Sequence, residues 1–206
     1  MRSYVMEFIG TVFLVLAIGL TGDPIAIGIM LMVMVYMGGH ISGAHYNPAV
    51  TLAVWMRGKI EAKYVAGYMV SQIAGALAGA IICYWLQGST FAPAPAESVG
   101  AFQAIVVETI FTFALASVIL AVATTQKLEG NYIYGLAIGF TLLAIAYAGG
   151  GISGGAYNPA VGIGPILMDT MMGGSSMPSL VIYLIGPFLG GALAAIVFKY
   201  LNPEEA

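Results

Sequence analysis

His40-Ile41-Ser42-Gly43-Ala44-His45-Tyr46-Asn47-Pro48-Ala49-Val50 returns in the second half of the chain as Gly151-Ile152-Ser153-Gly154-Gly155-Ala156-Tyr157-Asn158-Pro159-Ala160-Val161. A shared Ile-Ser-Gly followed by Tyr-Asn-Pro-Ala-Val is too long a match for chance. Glu7 with Thr11 likewise recurs as Glu108 with Thr112, so the duplication extends over nearly the whole chain. Asn is a favoured helix cap and proline tolerates the first helical turn, so each Asn-Pro is a sensible start for a helix. After Asn47 the apolar run continues only to about Trp55, and after Asn158 only to about Met168. Each is roughly ten residues, or about 15 Å of helix, against about 30 Å of bilayer hydrocarbon.

The bilayer is the relevant comparison because 60% of the 206 residues are hydrophobic and only 7% charged, where a soluble domain carries about a quarter charged. Such a chain cannot cover a water-facing surface. Apolar runs bounded by breakers predict spanning helices at about Tyr4 to Leu20, Pro24 to Gly38, Tyr64 to Leu86, Ala101 to Thr124, Tyr132 to Ala148 and Leu180 to Leu201. Asp23-Pro24 is a good start for the second span, Asp capping the free amides. Met1-Arg2-Ser3 runs into apolar sequence without a small-residue cleavage site, so the first segment is expected to be a retained span. Residues 1–206 then form one transmembrane channel domain of two repeats, about 1–100 and 101–206, with no room for a separate soluble domain. All six basic residues, Arg2, Arg57, Lys59, Lys63, Lys127 and Lys199, fall on one side of this arrangement, while Asp23, Glu97 and Asp169 fall on the other. The positive-inside rule makes both termini cytoplasmic. A net charge of -3 gives no reason to expect a nucleic-acid partner, and Cys83, the single cysteine, rules out an intrachain disulfide and reads as a small buried hydrophobe.

Three spans per half is an odd number, so the copies lie in opposite orientations and their Asn-Pro-Ala segments face each other near the midplane. The half-helix after Asn47 leads to the basic side and the one after Asn158 to the acidic side. The glycine-rich approaches Gly38 to Tyr46 and Gly149 to Tyr157 are expected to be non-helical, which at membrane depth is tolerated only inside protein or along a watery cavity. A conduit is the economical explanation. Backbone carbonyls would replace lost hydration, the Asn47 and Asn158 amides would supply donors, and two helix N-termini would oppose cations and hydronium.

Glu7 and Glu108 are carboxylates inside spans, which are costly unless satisfied. They either accept hydrogen bonds from the irregular loops or couple proton movement. His40 and His45 are either hydrogen-bonded supports for the loop or groups for gating or pH sensing. Ser71-Gly75-Gly79, Gly135-Gly139 and Gly186-Gly190 have the spacing that lets membrane helices pack closely. No nucleophile, metal or phosphate-binding constellation is present, so no enzymatic activity is expected.

Two Asn-Pro-Ala motifs in an inverted six-span repeat resemble the major intrinsic protein family, the aquaporins and glycerol channels, over essentially the full chain. The resemblance implies an all-α membrane protein, a right-handed bundle of six transmembrane helices plus two re-entrant half-helices. It further implies a homotetramer in membrane lipid, with one pore per subunit, and no cofactor or metal. It implies that carbonyls of Gly43, Ala44, His45, Tyr46, Gly154, Gly155, Ala156 and Tyr157 line the pore, and that Glu7 and Glu108 brace the loops. The family's outer filter carries over by spacing to Ile27, Ala146, Gly155 and Val161. Most members have arginine where this chain has Val161, and glycerol-type members commonly have Asp where it has Gly162. Without the guanidinium the filter loses a fixed charge and a fork of donors, which leaves an apolar, wider opening. The expectation is therefore a passive plasma-membrane channel for water, or for a broader set of small neutral solutes such as glycerol, urea, ammonia or uncharged metalloid hydroxides. The alternatives are an ion-coupled secondary transporter, which inverted repeats and broken helices also build, and a junctional or structural membrane protein that conducts little.

Overall fold

The computed structural model describes residues 1–205, and among these every α-helix belongs to one of two series with the same order of long and short elements. The first is α1 (Arg2–Thr21), α2 (Pro24–Ser42), the short α3 (Pro48–Met56) and α4 (Ala62–Gln87). The second is α5 (Ala101–Thr124), α6 (Tyr134–Ser153), the short α7 (Pro159–Met171) and α8 (Leu180–Leu201). Six helices are long and apolar enough to cross a membrane, whereas α3 has 9 residues and α7 has 13. The chain is an all-α, multi-pass integral membrane protein.

Local chemistry sets the helix ends. Asp23 caps α2 by accepting from the Ile25 amide at 3.0 Å, with Pro24 in the first turn. Asn47 caps α3, its side-chain oxygen accepting from Ala49 at 2.9 Å and Val50 at 3.4 Å. Asn158 caps α7 by accepting from Ala160 at 2.9 Å. In each case the cap leaves the following Pro in the position where a missing N–H costs nothing.

The helices α5 and α8 have the bounds expected from sequence, and α1 and α4 run one or two residues beyond theirs. The second and fifth spans differ more. They continue to Ser42 and Ser153, so the stretches after Gly38 and Gly149 are helical, and only residues 43–46 and 154–157 are irregular. The half-helices likewise end at Met56 and Met171 rather than at Trp55 and Met168. The physical reason is that backbone polar groups in hydrocarbon must be paired, so a helix continues through glycine until another partner for its amides exists. The glycines supply room instead: a Cβ on Gly38 would strike the Tyr46 hydroxyl, and one on Gly149 would strike that of Tyr157.

Within each repeat the first helix packs along the last, α1 on α4 and α5 on α8. Gly75 and Gly79 lie against the backbone of α1, and Gly186 and Gly190 against that of α5. The repeats meet where α2 crosses α6, with Gly28 and Gly139 each facing the other's carbonyl. Both short helices are wedged between repeats: α3 lies on α8 and α7 on α4. With six crossings, the termini share a face, and all six basic residues lie toward it. There Arg57, just after α3, forms a buried ion pair with Glu205 at 3.0 Å and lies over the Phe198 ring.

Candidate functional site

Between the two repeats lies a cavity of about 320 Å³. It runs from Gly22 and Pro24, at the turn between α1 and α2, past Asn47 and Asn158 to Ala44 and His45 on the terminus-bearing side. One wall is aliphatic, from Leu14 and Ile18 of α1, Leu115 and Ile119 of α5, and Ile138 and Leu142 of α6. The opposing wall is the irregular backbone of the two loops. Among the described residues the lining holds no acidic side chain and no basic one apart from the His45 imidazole.

Each loop is held by one carboxylate. Glu7 Oε1 accepts from Ser42 Oγ at 2.6 Å and the His45 amide at 3.0 Å, while Oε2 accepts from the Tyr46 amide at 2.6 Å and Gln72 Nε2 at 2.8 Å. Glu108 Oε1 accepts from Ser153 Oγ at 2.7 Å and the Ala156 amide at 3.1 Å, and Oε2 from the Tyr157 amide at 2.6 Å. Both carboxylates are fully buried. Every recorded contact donates to them, the acceptor-only role that orphaned loop amides require. Turning the chain from α2 into the cavity requires left-handed backbone, with Gly43 at φ 85°, Ala44 at 52° and Tyr46 at 50°; the second loop has Gly154 at 92°, Gly155 at 67° and Tyr157 at 48°.

The two caps are tied crosswise. Asn47 Nδ2 donates to the Tyr157 carbonyl and Asn158 Nδ2 to the Tyr46 carbonyl, both at 2.9 Å. One N–H of each amide is thus consumed, and since the group carries two, the other remains for the cavity. Pro48, Ala49, Pro159 and Ala160 do not line the cavity; they are buried in the first turns of α3 and α7. Ile27, Ala146, Gly155 and Val161 all border the cavity, as do Ala44, His45, Tyr46, Gly154, Ala156 and Tyr157; Gly43, at the end of α2, does not. His45 Nδ1 lies 3.1 Å from Thr51 Oγ1. His40 is exposed on the outside of α2, away from the loop, so of its two readings the loop-support one does not hold.

Sequence reading missed the partners that complete these networks. Ser42 and Ser153 were present in the repeated segment itself. Gln72, which also donates to Thr51 Oγ1 at 2.9 Å, was visible as an amide in an apolar span. Tyr68 and Tyr183 donate their hydroxyls to the Ser42 and Ser153 carbonyls at 2.8 and 2.6 Å; they occupy different places in α4 and α8, so the repeat alone did not reveal them. Position for position, Gln72 and Thr51 of the first repeat correspond to Tyr183 and Gly162 of the second, and a Cβ on Gly162 would collide with Tyr183.

Comparison with known proteins places these features in a wider group. The family described as "Major intrinsic protein" matches residues 1–198. The chain is 38% identical to "Probable aquaporin AqpM" of Archaeoglobus fulgidus, over 91% of this chain and 80% of that protein. It is 33% identical to "Glycerol uptake facilitator protein-like 6" of Lactiplantibacillus plantarum over the full length of both. Among solved structures, the aquaglyceroporin from Plasmodium falciparum superposes with a TM-score of 0.87 at 24% identity, covering 99% of this chain and 98% of that one.

Proposed function

The chain belongs to the major intrinsic protein family, whose members form channels for water or glycerol, and on that premise we propose that it is a passive pore for water and small uncharged solutes through an outer filter formed by Ile27, Ala146, Gly155 and Val161. The observation that carries this reading is the lining of the central cavity, aliphatic on one wall and hydrogen-bonding backbone on the other. A neutral molecule with a polar edge and a hydrocarbon edge, such as glycerol, matches both walls. A cation finds no counter-charge there and meets two positive helix ends at the centre.

The width of the filter is supported by what is missing from it. Val161 stands where a guanidinium would otherwise project, and added Cβ atoms on Gly150 and Gly151, which also line the cavity, would meet nothing within 4 Å. Glu7 and Glu108 brace the loops, and their engagement with fixed loop donors counts against a role in proton coupling. The Asn47 and Asn158 amides and the loop carbonyls serve as successive partners for the permeant. The domain is one channel with an inverted repeat, assembled as a homotetramer in the plasma membrane with cytoplasmic termini, the orientation favoured by the one-sided Lys and Arg.

Stopped-flow light scattering on proteoliposomes tests the reading. Under an impermeant osmolyte, water efflux is expected to be fast with a low activation barrier; under glycerol or urea gradients, the vesicles should shrink and then reswell rapidly. Rapid water movement without solute entry would overturn the wide filter, and solute uptake that saturates and requires a proton or sodium gradient would overturn the passive pore.

A further inference from the structure

On the side away from the termini, residues 88–100 join α4 to α5, and their middle reads Ala92-Pro93-Ala94-Pro95-Ala96. Proline fixes its own φ and holds the residue before it extended, so this stretch is a stiff strap. Pro93 and Pro95 also lack an N–H, which leaves the strap few donors. Among the described residues, two hydrogen bonds tie it to parts of the fold beyond the helices it joins. The Ala96 amide donates to the Ile152 carbonyl at 3.1 Å, and Thr90 Oγ1 donates to Asp169 Oδ1 at 2.7 Å. Between these ties the strap presses on Gly154, where a Cβ would lie 2.7 Å from the Ala94 nitrogen and 2.8 Å from its oxygen.

The anchors belong to the segments that carry Gly155 and Val161. Ile152 stands in the last turn of α6, just before Gly154 and Gly155, and its carbonyl is one of those a helix end leaves without an internal partner. Asp169 stands near the end of α7, the helix whose first turn carries Val161. It is itself fixed: Oδ2 accepts from the Ser176 amide at 3.3 Å, and its carbonyl accepts from the Gly174 amide at 2.8 Å. The strap is thus fastened at one end to the backbone leading into Gly155 and at the other to the helix of Val161. Glu108 secures this loop through Ser153, Ala156 and Tyr157 but makes no hydrogen bond to Gly154, the residue on which the strap rests.

Building on the reading of Ile27, Ala146, Gly155 and Val161 as the outer filter, we propose that Thr90 and Asp169 are positioning residues for solute selection. Their hydrogen bond holds the strap down on Gly154 and so sets how far Gly155 stands from Val161. Neither residue lines the cavity, so neither meets the permeant. Without the bond the strap lifts at its Thr90 end, the backbone at Gly154 gains room behind it, and the opening widens. A wider opening favours glycerol more than water, because the smaller molecule already passes.

The test compares Thr90→Val, which keeps the shape and removes the donor, with Thr90→Ser, which restores the hydroxyl. In proteoliposomes the ratio of glycerol to water permeability should rise by roughly threefold in Thr90→Val, the factor matching one modest hydrogen bond, and stay at the wild-type value in Thr90→Ser. Asp169→Ala should raise it too, and adding Thr90→Val to Asp169→Ala should raise it no further, because both break the same bond. Backbone hydrogen exchange over residues 152–156 should quicken in Thr90→Val and Asp169→Ala, with residues 43–46 unaffected. A general loss of packing would move glycerol and water fluxes together, so an unchanged ratio in Thr90→Val would overturn the proposal even if exchange quickened. An equal rise in Glu97→Gln, which alters an exposed acid of the strap, would also overturn it by revealing an effect of surface charge. A wild-type chain that admits no glycerol would overturn the wide filter instead; the strap's role would then stand if Thr90→Val gained glycerol entry together with faster exchange, and fall if it did not.

Discussion

Glu7 and Glu108 occupy equivalent places in the two repeats, yet they carry different loads. Glu7 receives two donors on each oxygen, and Glu108 receives two on one oxygen and one on the other. Replacing a carboxylate by an amide turns one acceptor into a donor, and each buried donor then left unpaired costs about 1–3 kcal/mol. Glu7→Gln sets its NH2 against two present donors whichever way the amide is placed, whereas Glu108→Gln can be oriented to face only one. Thermal unfolding in detergent should therefore show the larger drop for Glu7→Gln; equal drops would mean that the loops are held chiefly by other contacts. The carboxylates themselves were legible in the sequence, because a charged residue in an apolar span demands a partner. Their unequal pairing was not, because the Gln72 contribution depends on how α4 lies against α1, and no periodicity encodes that.

At the scale of elements, the half-helices owe their position to close backbone approaches. A Cβ on Gly191 of α8 would lie 2.5 Å from the Ala49 carbonyl oxygen in α3, and one on Gly164 of α7 would lie 2.5 Å from the Ala76 carbonyl carbon in α4. Neither neighbour is a flexible side chain that could move aside. Gly191→Val should displace α3, lowering stability by about 1–3 kcal/mol, the usual cost of overpacking, and reducing water permeability, because Asn47 caps the displaced helix. A variant with native permeability and melting temperature would show that α3 is not seated on α8 as described. The existence and type of these elements were readable from Asn-Pro and from run length. Their junctions were not: Gly38 and Gly149 looked like breakers, but the tyrosines that require them small are Tyr46 and Tyr157, brought back alongside by the loops. A glycine in a membrane helix has the same appearance in sequence whether it ends the helix or makes room for a neighbour.

For the molecule as a whole, duplication supplies the frame and departures from it supply the chemistry. The crossed Asn47 and Asn158 bonds make the midpoint nearly symmetric, while the two ends of the cavity differ, with His45 and Thr51 toward one side and Val161, Gly150 and Gly151 toward the other. Because a side chain on Gly150 would enter open space, Gly150→Phe should obstruct the cavity without disturbing the packing. Water and glycerol fluxes should both fall while the melting temperature holds; unchanged fluxes would place the conducting path elsewhere. The central claim, that an apolar outer filter admits solutes larger than water, is tested most directly by Val161→Arg in proteoliposomes, read as the ratio of glycerol to water permeability. Glycerol permeation should fall by roughly tenfold, about 1.4 kcal/mol of added barrier, while water permeation is largely retained. A ratio that does not change would contradict it.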